Sequence, residues 1–249
     1  MSRSVIDRLR VKIFADGADL KSLRQLAANP GIKGFTTNPT LMRAAGVKDY
    51  HDFAIDVLQS VSNRPVSFEV FADDFDTMEL QAREIASWGS NVYVKVPVTN
   101  TGGIYTGPII SSLSRSGVKL NVTAVMTLEQ VERITDSLDP AVPAVVSVFA
   151  GRIADTGVDP LPHMKIALEI LAARPRAELL WASPRELLNI MQADAVGCHI
   201  ITVTPDLIKK LSLVGRDLSL YSRETVEMFH RDAAAAGYSI VPAPRWKAS

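Results

Sequence analysis

Eight short apolar runs, rich in β-branched residues and each followed by enough chain for a helix, constrain this sequence more than any other feature. They are VKIFA (11–15), GIKGFTT (31–37), PVSFEVF (65–71), VYVKV (92–96), VKLNVTAV (118–125), AVVSVFA (144–150), AELLWAS (177–183) and HIITVT (199–204). Several of the intervening stretches carry helix signals. DTMELQAREIASWG (76–89) has an Asp start and a Gly stop, and TLEQVERITDSL (127–138) opens on a Thr cap and reads as a capping box with Glu at the third helical position. PLPHMKIALEILAAR (160–174) and SPRELLNIMQAD (183–194) read alike, the second with Pro at its first helical position. Strands alternating with helices imply parallel pairing through right-handed crossovers. Eight such units in 249 residues fit a (β/α)8 barrel, a fold that typically needs ~250. The runner-up is an open doubly wound sheet, but no glycine fingerprint follows a strand to support a dinucleotide site. With no low-complexity linker, the expectation is one α/β barrel domain over 1–249 with an extra C-terminal helix at about 222–238.

Composition narrows the function classes. Lys plus Arg equal Asp plus Glu at 27 each, so no net field points to nucleic acid or to a membrane surface. The lone cysteine, Cys198, has no internal partner for a disulfide, which fits a reducing compartment. MSRSVIDRLR has no apolar core of the signal-peptide kind, and no stretch approaches the ~18 apolar residues of a membrane span. A cytoplasmic protein is expected.

The run NVYVKVPVT (91–99) raises a sharper question, because its lysine interrupts a strand that otherwise reads as buried on both faces. Side chains alternate across a strand, so in a barrel one parity faces the helices and the other the lumen. Val92, Val94 and Val96 share one face, leaving Tyr93 and Lys95 on the other. By the same parity Thr36 and Asn38, Ser67 and Glu69, Asn121 and Thr123, and Val145, Ser147 and Phe149 line the lumen. In each strand the polar residue nearest the C-terminal end lies opposite the aliphatic face, and barrel active sites are built at those ends. Taken singly, Lys95 could be a snorkelling lysine, Glu69 an edge residue and Asn38 a turn residue before Pro39. Their coincidence in parity and height over five strands favours a site. A buried lysine loses charge readily and is then a nucleophile toward carbonyls, which suggests Schiff-base chemistry.

These residues also carry a resemblance. GFTTNPTLM (34–42), VYVKVPVT (92–99), LNVTAV (120–125) and SVFAGRIAD (147–155), in that order, resemble the transaldolase family, which includes the fructose-6-phosphate aldolases, and the chain is most similar to its short bacterial members. The resemblance implies a (β/α)8 barrel, no metal, no cofactor, and a Schiff base between a lysine and the keto carbon of a ketose phosphate. By motif position, Lys95 matches the Schiff-base lysine, and Asp16 in IFADGAD matches the aspartate that takes the proton from the hydroxyl beside the breaking bond. Glu69 and Thr123 match the pair that holds a catalytic water, and Asn38, Asn121 and Ser147 match the groups that bind the dihydroxyacetone hydroxyls. Arg152, Ser183 and Arg185 match the phosphate-binding set; forked guanidiniums suit phosphate, and a helix start at Ser183 would add free N–H groups. Gly17 and Pro184 depart from the pattern, where a small hydroxyl residue and an aromatic residue are usual.

Three functions compete: a transaldolase passing a dihydroxyacetone unit between sugar phosphates, an aldolase releasing dihydroxyacetone to water, and a non-catalytic barrel. The family's transferases have Glu and Phe where this chain has Glu69 and Phe149, and its aldolases have Gln and Tyr. The transferase is expected, in the pentose phosphate pathway or a specialised sugar route. Its partners would be sugar phosphates rather than nucleic acid or membrane, and a homo-oligomer is implied by the family's short members.

Overall fold

A computed structural model describes residues 5–241 of the chain. Eight strands form a closed parallel barrel in sequence order: β1 (Lys12–Asp16), β2 (Ile32–Thr36), β3 (Val66–Glu69), β4 (Val92–Pro97), β5 (Leu120–Val125), β6 (Ala144–Val148), β7 (Ala177–Trp181) and β8 (Ile200–Val203). The crossovers contain α1 (Leu20–Ala27), α2 (Pro39–Ala44), α3 (Tyr50–Ser60), α4 (Phe75–Ser87), α5 (Gly107–Arg115), α6 (Leu128–Ser137), α7 (Ala150–Asp155), α8 (Pro160–Leu171) and α9 (Leu188–Val196). After β8 comes α10 (Pro205–Lys209), and the compact unit that contains the barrel extends to Leu211. The described residues from Ser212 onward form a second unit, which contains α11 (Leu218–Ala235). Among the described residues no helix is long and apolar enough to cross a membrane.

Every expected strand is present, and the expected parity holds. The outward-facing Phe35, Phe68, Val94, Val96, Val122, Val146, Leu179, Trp181 and Ile201 are fully buried, each contributing roughly 1.5–3 kcal/mol by leaving water. Inside, Phe14, Val145, Leu180, Ala182 and Ile200 pack together with Tyr93 and Phe149 and fill the lumen beneath the strand ends. The Phe14 ring fits because its register partner on β2 is Gly34, where a Cβ would stand 2.4 Å from the ring.

The helix boundaries differ from expectation where other local side-chain bonds decide them. Asp74, rather than Asp76, caps α4 by accepting from Thr77 N at 2.8 Å. The α6 capping box is closed by Gln130, not by a Glu. α11 begins at Leu218, because Asp217 caps it by accepting from Leu220 N, and it ends at Ala235 rather than near 238. The expected helix start at Ser183 is incorrect. Asn189 Oδ1 captures both Arg185 N (2.7 Å) and Glu186 N (3.1 Å), so α9 begins only at Leu188, and Ser183 sits in the left-handed region with φ +57°. The helix-terminus argument for an anion at Ser183 therefore falls.

Candidate active site

The parallel register sets neighbouring lumen side chains at one height. Glu69 of β3 pairs with Lys95 of β4, which pairs with Asn121 of β5. Lys95 is only 7% exposed. Its Nζ lies 3.2 Å from Glu69 Oε2 and donates to Thr37 O at 2.9 Å, both at the C-terminal mouth of the barrel. A buried ammonium stripped of water needs such partners.

The remaining side chains form an ordered rim. Ser147 Oγ donates to Asn121 Oδ1 at 2.7 Å, and Asn121 Nδ2 donates to Ser67 Oγ at 3.0 Å. These two bonds fix the amide's orientation and leave its second Nδ2 hydrogen for a ligand. Across the lumen Thr36 Oγ1 donates to Asp16 Oδ1 at 2.8 Å, and Thr36 also bonds the hydroxyl of Thr202 on β8. Burial raises the Asp16 carboxyl above its usual range; Lys95 and the Thr36 hydrogen bond pull it down, and Glu69 adds to the rise. A carboxyl tuned upward in a cleft shared with an amine suits proton transfer.

Asp16, Thr36, Asn38, Glu69, Lys95, Asn121, Thr123, Ser147, Phe149, Arg152, Ser183 and Thr202 all line one cleft of about 420 Å³, a size that suits a small phosphorylated substrate. Asn38 also caps α2, accepting from Leu41 N at 3.0 Å. Thr123 precedes a bulge in the pairing of β5 with β6 that puts Ala124 in the left-handed region (φ +61°), a strained backbone on the cleft wall. The β7 side is apolar, built from Leu180 and Ala182. The Arg152 guanidinium lies 5.8 Å from the centre of the Phe149 ring.

Arg185 is not brought into the cleft. Its guanidinium forks onto both carboxylate oxygens of Asp155 at the half-exposed surface, which raises the arginine's pKa and lowers that of the aspartate. Strand parity puts Thr36 on the lumen face but gives it no role there, whereas Thr202 stands in an otherwise apolar run with nothing local to mark it. Among the described residues no three His, Cys, Asp or Glu side chains stand together in a way that could hold a metal ion.

One backbone contact ties the mouth together. α7 approaches the turn after β7 so closely that a Cβ at Gly151 would stand 1.6 Å from Ser183 O. Gly151→Ala should therefore cost about 1–3 kcal/mol of stability, read by urea denaturation, because either α7 or the Ser183 turn must move. An unchanged denaturation midpoint would show that the contact yields freely.

The chain matches the family model described as Transaldolase/Fructose-6-phosphate aldolase over residues 13–240. A "Probable transaldolase" of Streptococcus agalactiae serotype V is 34% identical over 197 residues, covering 79% of this chain and 86% of that one. Another of that name from Thermoanaerobacter sp. is 31% identical over 231 residues, covering 92% of this chain and 100% of that one. Among solved structures, 3-keto-L-gulonate-6-phosphate decarboxylase from Vibrio cholerae matches with a TM-score of 0.54 at 11% identity, covering 79% of this chain and 88% of that one. A 2,3-dimethylmalate lyase matches at 0.53 and 16% identity, covering 97% and 89%. Likeness at that identity shows the shared fold alone.

Proposed function

Because the chain belongs to the transaldolase/fructose-6-phosphate aldolase family, we propose that it is a transaldolase that moves a dihydroxyacetone unit from a ketose phosphate to an aldose phosphate through a Schiff base on Lys95. The observation that carries this reading is the buried amine of Lys95, 3.2 Å from one carboxylate and across the lumen from a second. The amine adds to the keto carbon C2, and its oxygen leaves as water after proton transfers through Glu69 and a water held with Thr123. Asp16 then takes the proton of the C4 hydroxyl, the C3–C4 bond breaks, and its electron pair passes into the iminium to give an enamine. C4 departs as an aldehyde. An incoming aldehyde reverses these steps, and hydrolysis frees the lysine. Asn38, Asn121 and Ser147 would hold the hydroxyls of the retained unit, and Arg152 with Ser183 the phosphate. Arg185 would join them only by leaving Asp155.

Whether transfer or release follows depends on what can protonate the enamine. Phe149 at the cleft wall has no hydroxyl to supply that proton. The intermediate should therefore persist until an aldose phosphate arrives. Dihydroxyacetone production from fructose 6-phosphate should be at least about tenfold slower than transfer to erythrose 4-phosphate, and Phe149→Tyr should narrow that gap, since a placed proton donor contributes ~10²-fold or more. Release as fast as transfer in the native protein would favour the aldolase instead.

A further inference from the structure

The end of β3 has a backbone problem that a helix residue solves. In a parallel strand the N–H and C=O of one residue point to the same neighbour, and those of the next residue to the other side. Val70 N donates to Lys95 O at 3.1 Å on the β4 side, so Glu69 turns its own backbone pair toward β2. There β2 has already ended at Thr36; the last contact is Thr37 N to Ser67 O at 3.4 Å, and Asn38 begins the turn into α2. Left without partners, two buried backbone polar groups would destabilise the strand end.

The phenol of Tyr50, the first residue of α3, takes the place of the missing strand. Its oxygen accepts from Glu69 N at 2.7 Å and its hydroxyl donates to Glu69 O at 3.0 Å. The ring is fixed by edge contacts with Phe68 and Trp88, at 6.1 and 5.5 Å between centres, and by Phe71 at 4.6 Å. Burial raises the phenol's pKa, which keeps the donating proton in place. Gln81 of α4 holds the next turn by accepting from Phe71 N and Ala72 N at 2.8 and 2.9 Å.

We propose that Tyr50 is a positioning residue for imine formation: by clasping both backbone groups of Glu69 it fixes the carboxylate that stands beside Lys95. This rests on the reading of Glu69 as the proton carrier in that step. Tyr50 touches no substrate and acts only through Glu69.

Tyr50→Phe keeps the ring and removes only the hydroxyl. The probe is reductive methylation with formaldehyde and cyanoborohydride at one fixed pH, with each lysine quantified by peptide mass and the exposed Lys21 and Lys165 as references within the same sample. Lys95 methylation, relative to those references, should fall about five- to tenfold, because dehydration of the carbinolamine loses its placed acid–base group. A merely structural loosening would open the cleft and raise it. Trp88→Phe, which disturbs the same aromatic cluster but leaves the hydroxyl, should keep the ratio within about twofold. An unchanged or raised ratio in Tyr50→Phe, or an equal fall in Trp88→Phe, overturns the proposal. A parallel arm reads turnover with fructose 6-phosphate and erythrose 4-phosphate, where Tyr50→Phe should lower kcat by a similar factor and leave KM within about twofold; a raised KM with unchanged kcat overturns the proposal. If the native protein is methylated at Lys95 yet never trapped by borohydride with fructose 6-phosphate, the transferase reading fails, while the methylation arm still decides the role of Tyr50.

Discussion

Lys95→Met will abolish turnover and leave the barrel folded. Methionine nearly matches the lysine stem in length and fills the same 7%-exposed site, but it offers no amine to add to a carbonyl. Removal of a covalent nucleophile should lower turnover by at least about 10⁴-fold. The fold should tolerate the change because Lys95 contributes one ion pair, to Glu69, and one hydrogen bond, to Thr37 O. Leaving Thr37 O unmatched costs about 1–3 kcal/mol; the Glu69 carboxylate would cost more in a closed core, but its side chain is 19% exposed at the cleft, where water replaces the amine. Circular dichroism should superimpose on the native spectrum. Borohydride reduction in the presence of fructose 6-phosphate should mark the Lys95 peptide in the native protein and nothing in the variant. Lys119 is the informative competitor. It precedes β5 and donates to Ser90 O at 2.6 Å, at the opposite end of the barrel. An adduct there would overturn the site.

Asp16→Asn should move activity and stability in opposite directions. Turnover should fall about 10²–10⁴-fold, because the base for the C4 hydroxyl is lost. Stability should rise at neutral pH. Burial raises the Asp16 carboxyl above its ordinary value of 3.8, against the opposing pull of Lys95 and Thr36. The folded state therefore holds this proton more tightly than the unfolded chain does. The stabilisation from that tighter grip is complete below 3.8 and is lost as pH rises through the folded value, so at pH 7 the ionised group is a liability. Asparagine keeps an acceptor for Thr36 and carries no charge to desolvate. A higher Tm is expected at pH 7, the difference shrinking to nothing below 3.8, where the native carboxyl is protonated in both states. A lower Tm at pH 7 would mean that attraction to Lys95 outweighs burial. In the native protein, turnover should fall on the acid side as this carboxyl is protonated.

What the sequence revealed and what it hid follow one division. Strand parity is local, because every second side chain shares a face, so Lys95, Glu69, Asn121 and Ser147 could be placed around one lumen from spacing alone. Parallel register then brought them to one height, as the Glu69–Lys95–Asn121 pairing shows. Ser183 was misplaced because Ser-Pro looks locally like a cap followed by a first-turn proline. The backbone there is instead set by Asn189, six residues on, and pressed by Gly151, from another crossover. Arg185 was placed by its motif, but its guanidinium rests on Asp155, thirty residues away. Tyr50 and Thr202 were illegible for the same reason. Their roles depend on which helix or strand end arrives beside Glu69 and Asp16, and no window along the chain contains both.

Phe14 has a consequence for the order of events. Its ring, admitted by Gly34, closes the lumen below the site together with Val145, Leu180 and Ile200. Among the described residues the cleft is thus a cup closed at its base, and its opening lies at the C-terminal ends of the strands. Under the proposed reaction the first aldehyde must leave through the opening by which the second enters. Donor and acceptor then take turns at one place, and the carbon unit waiting on Lys95 is the only memory that links the two visits.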